Sequence, residues 1–254
     1  MKITILGSGT SQGIPVIGCS CHVCRSLDFR DKRLRVSIHI EVDEQSLIID
    51  SGPDFRQQVL RERVSHLDAL IFTHEHKDHT AGMDDIRSFN FLQKQDIPIY
   101  GRASVLEQIK QEFAYIFSEH KYPGIPRVTP IPIENTPFKI GEVEIIPIEA
   151  LHYKLPVYGF RIKDFTYLTD IKTIDSEELD KVKGTKILVL DALQKDDHLS
   201  HLTLSEAIDL AQEIGAETTY LTHISHKMGL HDEVSKELPE NIRLAYDGLT
   251  IQVD

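Results

Sequence analysis

Residues 71–86 read IFTHEHKDHTAGMDDI and place His74, His76, Asp78 and His79 within six positions. Imidazole and carboxylate are the usual protein ligands for zinc, iron and manganese. The four polar residues follow directly on the apolar run LDALIF, at the end of a buried strand. In an extended segment alternate side chains face one way, so His74 and His76 can hold one ion. Asp78 and His79 lie where the chain turns toward a helix and can reach a second. Other apolar runs end on the same residue types: IEALH on His152, FTYLTD on Asp170 and TYLTH on His223. A single strand-end histidine is ordinarily a structural residue. A whole H-x-H-x-D-H pattern with three further polar strand ends points instead to a shared site, the way α/β proteins assemble one.

Two further stretches carry chemistry. GCSCHVC, residues 18–24, contains every cysteine of the chain: Cys19, Cys21 and Cys24. Three cysteines cannot pair off into a disulfide framework. Clustered thiols in a reducing compartment point to a metal. DDHLSHLTLSEA offers His198 and His201 as proton carriers just before a helix that begins near Thr203.

The elements that must position these groups alternate along the chain. Strands are expected at KITILGS, VSIHIEV, SLIIDS, ALIFTH and PIYG, then at VEIIPIEAL, VYGFRIK, FTYLTD, KILVLDAL, TTYLTHIS, IRLAY and LTIQV. Helices are expected over 54–63, 80–93, 103–117, 175–182, 203–215 and 228–238. The proline-rich segment 120–139 reads as a connector between two halves, 1–119 and 120–254, of a single domain spanning residues 1–254. Asp247-Gly248 reads as a hairpin turn between the last two strands. Strand-rich halves with helices on one side predict two sheets packed face to face with helices outside.

The chain has 254 residues, 41% hydrophobic and 27% charged, with a net charge of −12. These values fit a globular protein large enough to bury a core without staples. The acidic balance makes large nucleic acids poor partners. No apolar run approaches the 18 or so residues of a membrane span. The N-terminus reads as a first strand and not as a signal peptide, so the expected location is the cytoplasm. The basic stretch RSLDFRDKRLR, residues 25–35, reads equally as an anion patch or a solvated face. GSGTSQG, residues 7–13, lacks the P-loop lysine and the dinucleotide-binding spacing.

Together these motifs resemble the metallo-β-lactamase fold superfamily, over the chain from residue 1 to about 226. Asp50 in LIIDSGPD matches the family's early strand-end aspartate, and THEHKDH its signature metal motif. The resemblance implies an αββα sandwich of two mixed sheets with helices on both outer faces, and two divalent ions (zinc, manganese or iron) at the sheet edge. It implies one ion on His74, His76 and His152, the other on Asp78, His79 and His223, and Asp170 bridging. GSGTSQGIPVIGCSCHVC is similar to the opening of the PhnP-type cyclic phosphodiesterase branch. That branch implies a structural zinc on Cys19, Cys21, Cys24 and the histidine three residues past His223, which is His226. Three thiolates and one imidazole make a closed tetrahedral zinc site; His22 is an alternative fourth ligand, but lies too close between two thiols for easy geometry. His201 resembles the family's general-acid histidine.

The expected activity is hydrolysis of a small phosphodiester, cyclic esters such as a ribose cyclic phosphate included, by a hydroxide bridging two ions. Asp78 and His201 are the expected catalytic residues. Ribonuclease Z-like RNA processing, a lactonase-type hydrolase and a non-catalytic metal-binding scaffold are the alternatives. The sequence leaves a homodimer open.

Overall fold

In a computed structural model, residues 1–118 and 122–253 are described. The boundary expected at 119/120 and the start of the 120–139 connector lie outside the described residues.

The strands in chain order are β1 (Lys2–Gly7), β2 (Ser37–Val42), β3 (Gln45–Ile49), β4 (Ala69–Ile71), β5 (Ile97–Gly101), β6 (Val128–Pro132), β7 (Phe138–Ile140), β8 (Val143–His152), β9 (Leu155–Ile162), β10 (Phe165–Leu168), β11 (Thr173–Ile174), β12 (Ile187–Asp191), β13 (Thr218–Thr222), β14 (Ile242–Leu244) and β15 (Thr250–Gln252). The helices are α1 (His22–Arg25), α2 (Phe55–Arg61), α3 (Lys77–Thr80), α4 (Arg87–Gln93), α5 (Ala103–Glu112), α6 (Ala114–Phe117), α7 (Ser176–Val182), α8 (Leu204–Ile214) and α9 (His231–Val234).

The first sheet runs β15-β1-β2-β3-β4-β5-β6, and the second β11-β8-β9-β10-β12-β13-β14 with β7 paired to β8. Strand periodicity of two decides the layers. In β3, Leu47 and Ile49 face the core between the sheets, whereas Ile48 faces the outer helices. In β12, Val189 faces the inter-sheet core and Leu188 and Leu190 face outward. Phe55 of α2, Phe89 of α4 and Ile109 of α5 cover the first sheet. Val182 of α7, Ala207 and Ala211 of α8 and Val234 of α9 cover the second. The architecture is the expected αββα sandwich.

What positions the site is strand direction. β3 and β4 are parallel neighbours in the first sheet, and β10, β12 and β13 in the second. Their C-terminal ends carry Asp50, the His74 loop, Asp170, Asp191 and His223.

Several expected elements differ. The helix expected over 80–93 is broken into α3, a 3-10 turn at Met83–Ile86, and α4. Gly82 donates to the Ser51 carbonyl at 2.8 Å, which fixes the chain onto the loop after β3 at that point. The helix over 103–117 divides at Phe113, whose φ of −110° and ψ of 41° leave the helical region. Of 228–238, only His231–Val234 is α-helix. The proline-rich segment holds β6, in parallel register with β5. Pro130 and Pro132 are tolerated because β6 is an edge strand. Asp247-Gly248 is not a hairpin: β14 belongs to the second sheet, and β15 crosses to pair with β1 in the first. The Asp247 carboxylate instead accepts hydrogen bonds from Ser8 and from the Leu34 amide, fixing the crossover.

Phe160 is fully buried between the sheets. Phe160→Ala is expected to lower the unfolding free energy by about 3–5 kcal/mol, measured by chemical denaturation.

Candidate active site

The HEHKDH turn is clamped to the loop after β3. The Ser51 amide donates to the His79 carbonyl at 2.7 Å. A Cβ on Gly52 would lie 1.9 Å from the Asp78 carbonyl oxygen, and one on Gly82 would lie 2.1 Å from the Gly52 carbonyl oxygen. Glycine is required there because three backbone turns touch. Asp50, Asp170 and His223 all take positive φ, at 64°, 55° and 59°. Non-glycine residues adopt that region rarely, Asp and His among the more tolerant, and such strain clusters at functional sites.

The seven expected residues converge. His74, His76 and His152 form one group and Asp78, His79, Asp170 and His223 another, with ligand atoms in each group within 4.8 Å of one another. His74 Nε2 lies 2.9 Å from His76 Nδ1. His152 Nδ1 donates to the Ser200 carbonyl at 2.8 Å, leaving Nε2 to face inward. In the second group, His79 Nε2 lies 3.2 Å from Asp170 Oδ2 and 3.3 Å from Asp78 Oδ2. His223 Nε2 lies 3.2 Å from Asp170 Oδ1. Asp170 stands between the groups, since the same Oδ1 is 4.0 Å from His152 Nε2.

Hydrogen bonds behind the cluster fix the imidazoles. Asp50 accepts from the Thr73 amide at 2.9 Å, the Thr73 hydroxyl at 2.8 Å and His79 Nδ1 at 2.7 Å. The Thr73 hydroxyl spends its one proton on Asp50, so it accepts from His74 Nδ1 at 3.0 Å. Both His74 and His79 therefore turn Nε2 toward the cluster.

These residues fit divalent cations. Among the described residues, His79 Nε2 and both ring nitrogens of His223 are buried without a hydrogen-bond partner. Burial works against protonating His79, yet Asp170, Asp78 and Asp50 outweigh it and hold the imidazole well above its ordinary value. Burial likewise opposes ionisation of Asp170, but His223 and His79 hold its carboxyl well below the usual range. The field at this point demands positive charge, and oxygen and nitrogen donors of this kind suit zinc, manganese or iron.

His201 sits at the edge of the cluster. Its ring stacks on His223 at 4.6 Å between centroids, and Nε2 lies 3.9 Å from Asp170 Oδ1. Nδ1 donates to Asp191 Oδ1 at 3.1 Å, while Asp191 Oδ2 accepts from the Leu202 amide at 3.0 Å. Burial lowers the His201 pKa, but Asp191 more than reverses this and, with Asp170, raises it to about 9. Thr203 and Glu206 form a capping box that starts α8 directly after this histidine. His198 is half-buried, its ring 5.2 Å from that of His201. Asp191 was absent from the expected site. The signal for it was present: ILVLD ends an apolar strand on a carboxylate, as FTYLTD does.

The cysteines gather elsewhere. Cys19, Cys21 and Cys24 Sγ lie 3.3, 3.5 and 3.6 Å from His226 Nδ1. With Zn–S near 2.3 Å and Zn–N near 2.0–2.1 Å, tetrahedral zinc would set S···N edges of about 3.5 Å, so the cage has the right size. His22 is exposed and outside this group. The basic stretch is largely paired internally: Arg30 with Asp28 and Asp232, and Arg35 with Asp54, while Arg33 is buried against Ser8 and the Ala245 carbonyl.

The model of the β-lactamase superfamily domain matches residues 45–224. A protein of Porphyromonas gingivalis named octanoyltransferase is 38% identical over the whole of this chain, which spans only about half (52%) of that protein's length. YhfI of Bacillus subtilis, a probable metallo-hydrolase, is 27% identical over 76% of this chain and 81% of its own. A crystal structure described as a new diphosphatase from the PhnP family superposes with a TM-score of 0.93, at 37% identity, covering 100% of this chain and 98% of that one.

Gly52→Ala forces Asp78 to move and is expected to destabilise the protein by about 1–3 kcal/mol, the usual cost of overpacking. Gly101→Ala, whose Cβ would meet only ordinary contacts from 3.5 Å outward, should be near neutral. Denaturation midpoints of the two variants check this.

Proposed function

The chain belongs to the β-lactamase superfamily and, within it, to the PhnP family, and from that premise we propose that this hydrolase cleaves a small phosphodiester, cyclic esters included, with two divalent metal ions. The observation that carries the reading is Asp170 standing between two sets of inward-facing nitrogen and oxygen donors. In this reading His74, His76 and His152 would hold one ion and Asp78, His79 and His223 the other, with Asp170 placed to serve both. The ions, when bound, supply an activated water and offset charge on phosphoryl oxygens. Zinc, manganese and iron all suit these donors.

The chain's own residues do the rest. Asp50 orients His79 and, through Thr73, His74. Asp191 holds Nδ1 of His201, so Nε2 carries the proton toward the cluster edge, where the leaving oxygen needs it. A diphosphatase, as the PhnP-family relative is described, cleaves a phosphoanhydride and not an ester, yet it too breaks a P–O bond at a phosphoryl centre, which supports phosphoryl hydrolysis as the broad class. Acyl transfer is not adopted from the Porphyromonas gingivalis name. Half of that protein lies outside the match, and the thiols that could hold an acyl group face His226. The net charge of −12 favours a small substrate over a nucleic acid. Three thiols around an imidazole suit zinc and the reducing cytoplasm.

Turnover of bis(4-nitrophenyl) phosphate by the manganese- or zinc-loaded protein tests the class; no turnover beside active lactone hydrolysis would overturn it. His201→Ala is expected to lose about 10²–10⁴-fold on an alkyl phosphodiester, the usual worth of a general acid, and much less on the 4-nitrophenyl ester, whose leaving group needs no proton. Equal losses would assign His201 to binding. Mild chelation should leave one zinc per chain. Cys21→Ser should lose that zinc and melt lower by roughly 5–10 °C, the shift that about 2–4 kcal/mol gives at this size.

A further inference from the structure

Every thiol of the chain sits in the cysteine cage, so a disulfide within the chain can form only there. The four ligand atoms of the cage lie within 4.8 Å of one another. Bonded sulfurs stand about 2.05 Å apart, so joining two of these needs a closure of at most about 3 Å. Exposure is uneven. Cys19 and Cys21 are half-buried and meet solvent, whereas Cys24 is buried. An accessible thiol with a sheltered partner at its side is the arrangement that turns a first oxidation into a disulfide.

The turn that opens α1 selects the pair. The Cys24 amide donates to Cys21 Sγ at 3.4 Å, which keeps both side chains on one side of the turn. Cys24 is fastened from two directions. Its Sγ accepts from the Val16 amide at 3.4 Å, and its carbonyl accepts from the Lys32 ammonium at 2.9 Å. C-x-x-C is the spacing of redox dithiols. Cys19 and Cys21, one residue apart, would close a tighter ring.

The cage also borders the catalytic edge. His226 and His201 both line a cavity of about 290 Å³ between the loop after β1 and the loops after β12 and β13. Among the described residues, the three sulfurs are the only hydrogen-bond partners of the His226 ring. Whatever takes the sulfurs away frees this imidazole next to His201.

We propose that the cage is a site of reversible oxidation, at which a peroxide joins Cys21 to Cys24, expels the zinc and releases His226. The proposal rests on the zinc reading of the cage. Zinc itself is redox-inert, so the sulfurs are what a peroxide oxidises. The Cys21 thiolate attacks a peroxide oxygen; the S–O bond forms, the O–O bond breaks and hydroxide leaves, giving a sulfenic acid. The Cys24 thiolate then attacks that sulfur; the S–S bond forms, the S–O bond breaks and a second hydroxide leaves. Two electrons pass from sulfur to peroxide, and two protons turn the hydroxides into water. Cys19 and His226 are left as two ligands, too few for a tetrahedral site that needs four.

The test treats chelated wild-type protein, which holds the structural zinc alone, with hydrogen peroxide. A chromogenic zinc indicator reads the metal, and alkylation after denaturation followed by mass spectrometry reads the thiols. The expected result is loss of one zinc per chain, a mass lower by two hydrogens and a single alkylated cysteine, located by fragmentation at Cys19. Dithiothreitol with zinc should restore the starting state. Cys19→Ser should still form the bridge, and Cys24→Ser should stop at the sulfenic acid; the wild-type mapping stands even if these variants fold poorly. Oxygen gained without a bridge, or a bridge that includes Cys19, would overturn the proposal. The two readings fail differently. Chelated protein that holds no zinc yet forms the Cys21–Cys24 bridge sinks the zinc reading and keeps the oxidation site; zinc retained with all three thiols alkylated does the reverse.

Discussion

Asp78 and Asp170 converge on the Nε2 atoms of His79 and His223 where almost no water reaches, with relative exposures of 12% and 2% for the carboxylates and 0% and 1% for the imidazoles. Buried charges persist only when they are paired or coordinated. Protons satisfy this arrangement badly, because each imidazole Nε2 meets a carboxylate oxygen at more than 3 Å and forms no hydrogen bond. A cation between them satisfies every group at once. The surrounding structure serves that convergence. Five parallel strands end at one edge of the sandwich, and positive-φ turns at Asp50, Asp170 and His223 aim side chains back over it.

The cysteine cage is mechanically continuous with this cluster. His226 lies three residues past His223, and the segment between them is held on two sides. The Ile224 amide donates to the Ser8 carbonyl at 2.9 Å, and the Ile224 carbonyl accepts from the Thr10 amide at 3.1 Å. The Ser225 amide donates to the Leu193 carbonyl at 2.9 Å. A metal on Cys19, Cys21, Cys24 and His226 would therefore brace one wall of the cavity beside His201. It would also tie the N-terminal loop to the end of β13.

Much of this was legible in the sequence because the converging residues sit at or just past the ends of apolar strands. His74, His152, Asp170 and His223 interrupt runs that burial would otherwise keep apolar, and no packing reason accounts for all of them. Asp191 was missed although it obeys the same rule, because it belongs to no ligand pattern and meets the cluster from behind, at His201 Nδ1, His223 Nδ1 and the Asp170 amide. Other features depend on contacts remote in sequence. The break in the helix expected over 80–93 arises where Gly82 meets Ser51 and Gly52, thirty residues earlier. The crossing of β15 to the first sheet depends on Asp247 finding Ser8 and Leu34. Local periodicity holds no record of either contact. The prolines of β6 suggested a connector because their tolerance at a sheet edge becomes visible only once β5 supplies the neighbour.

The arrangement is tested most directly by anomalous diffraction from crystals grown with zinc or manganese. The expected result is two peaks flanking the Asp170 carboxylate, about 3.5–4 Å apart as in two-metal sites, and a third, zinc-specific peak inside the Cys19, Cys21, Cys24 and His226 cage. A single peak at the cluster, or a pair that leaves Asp170 unshared, would contradict the dinuclear assignment.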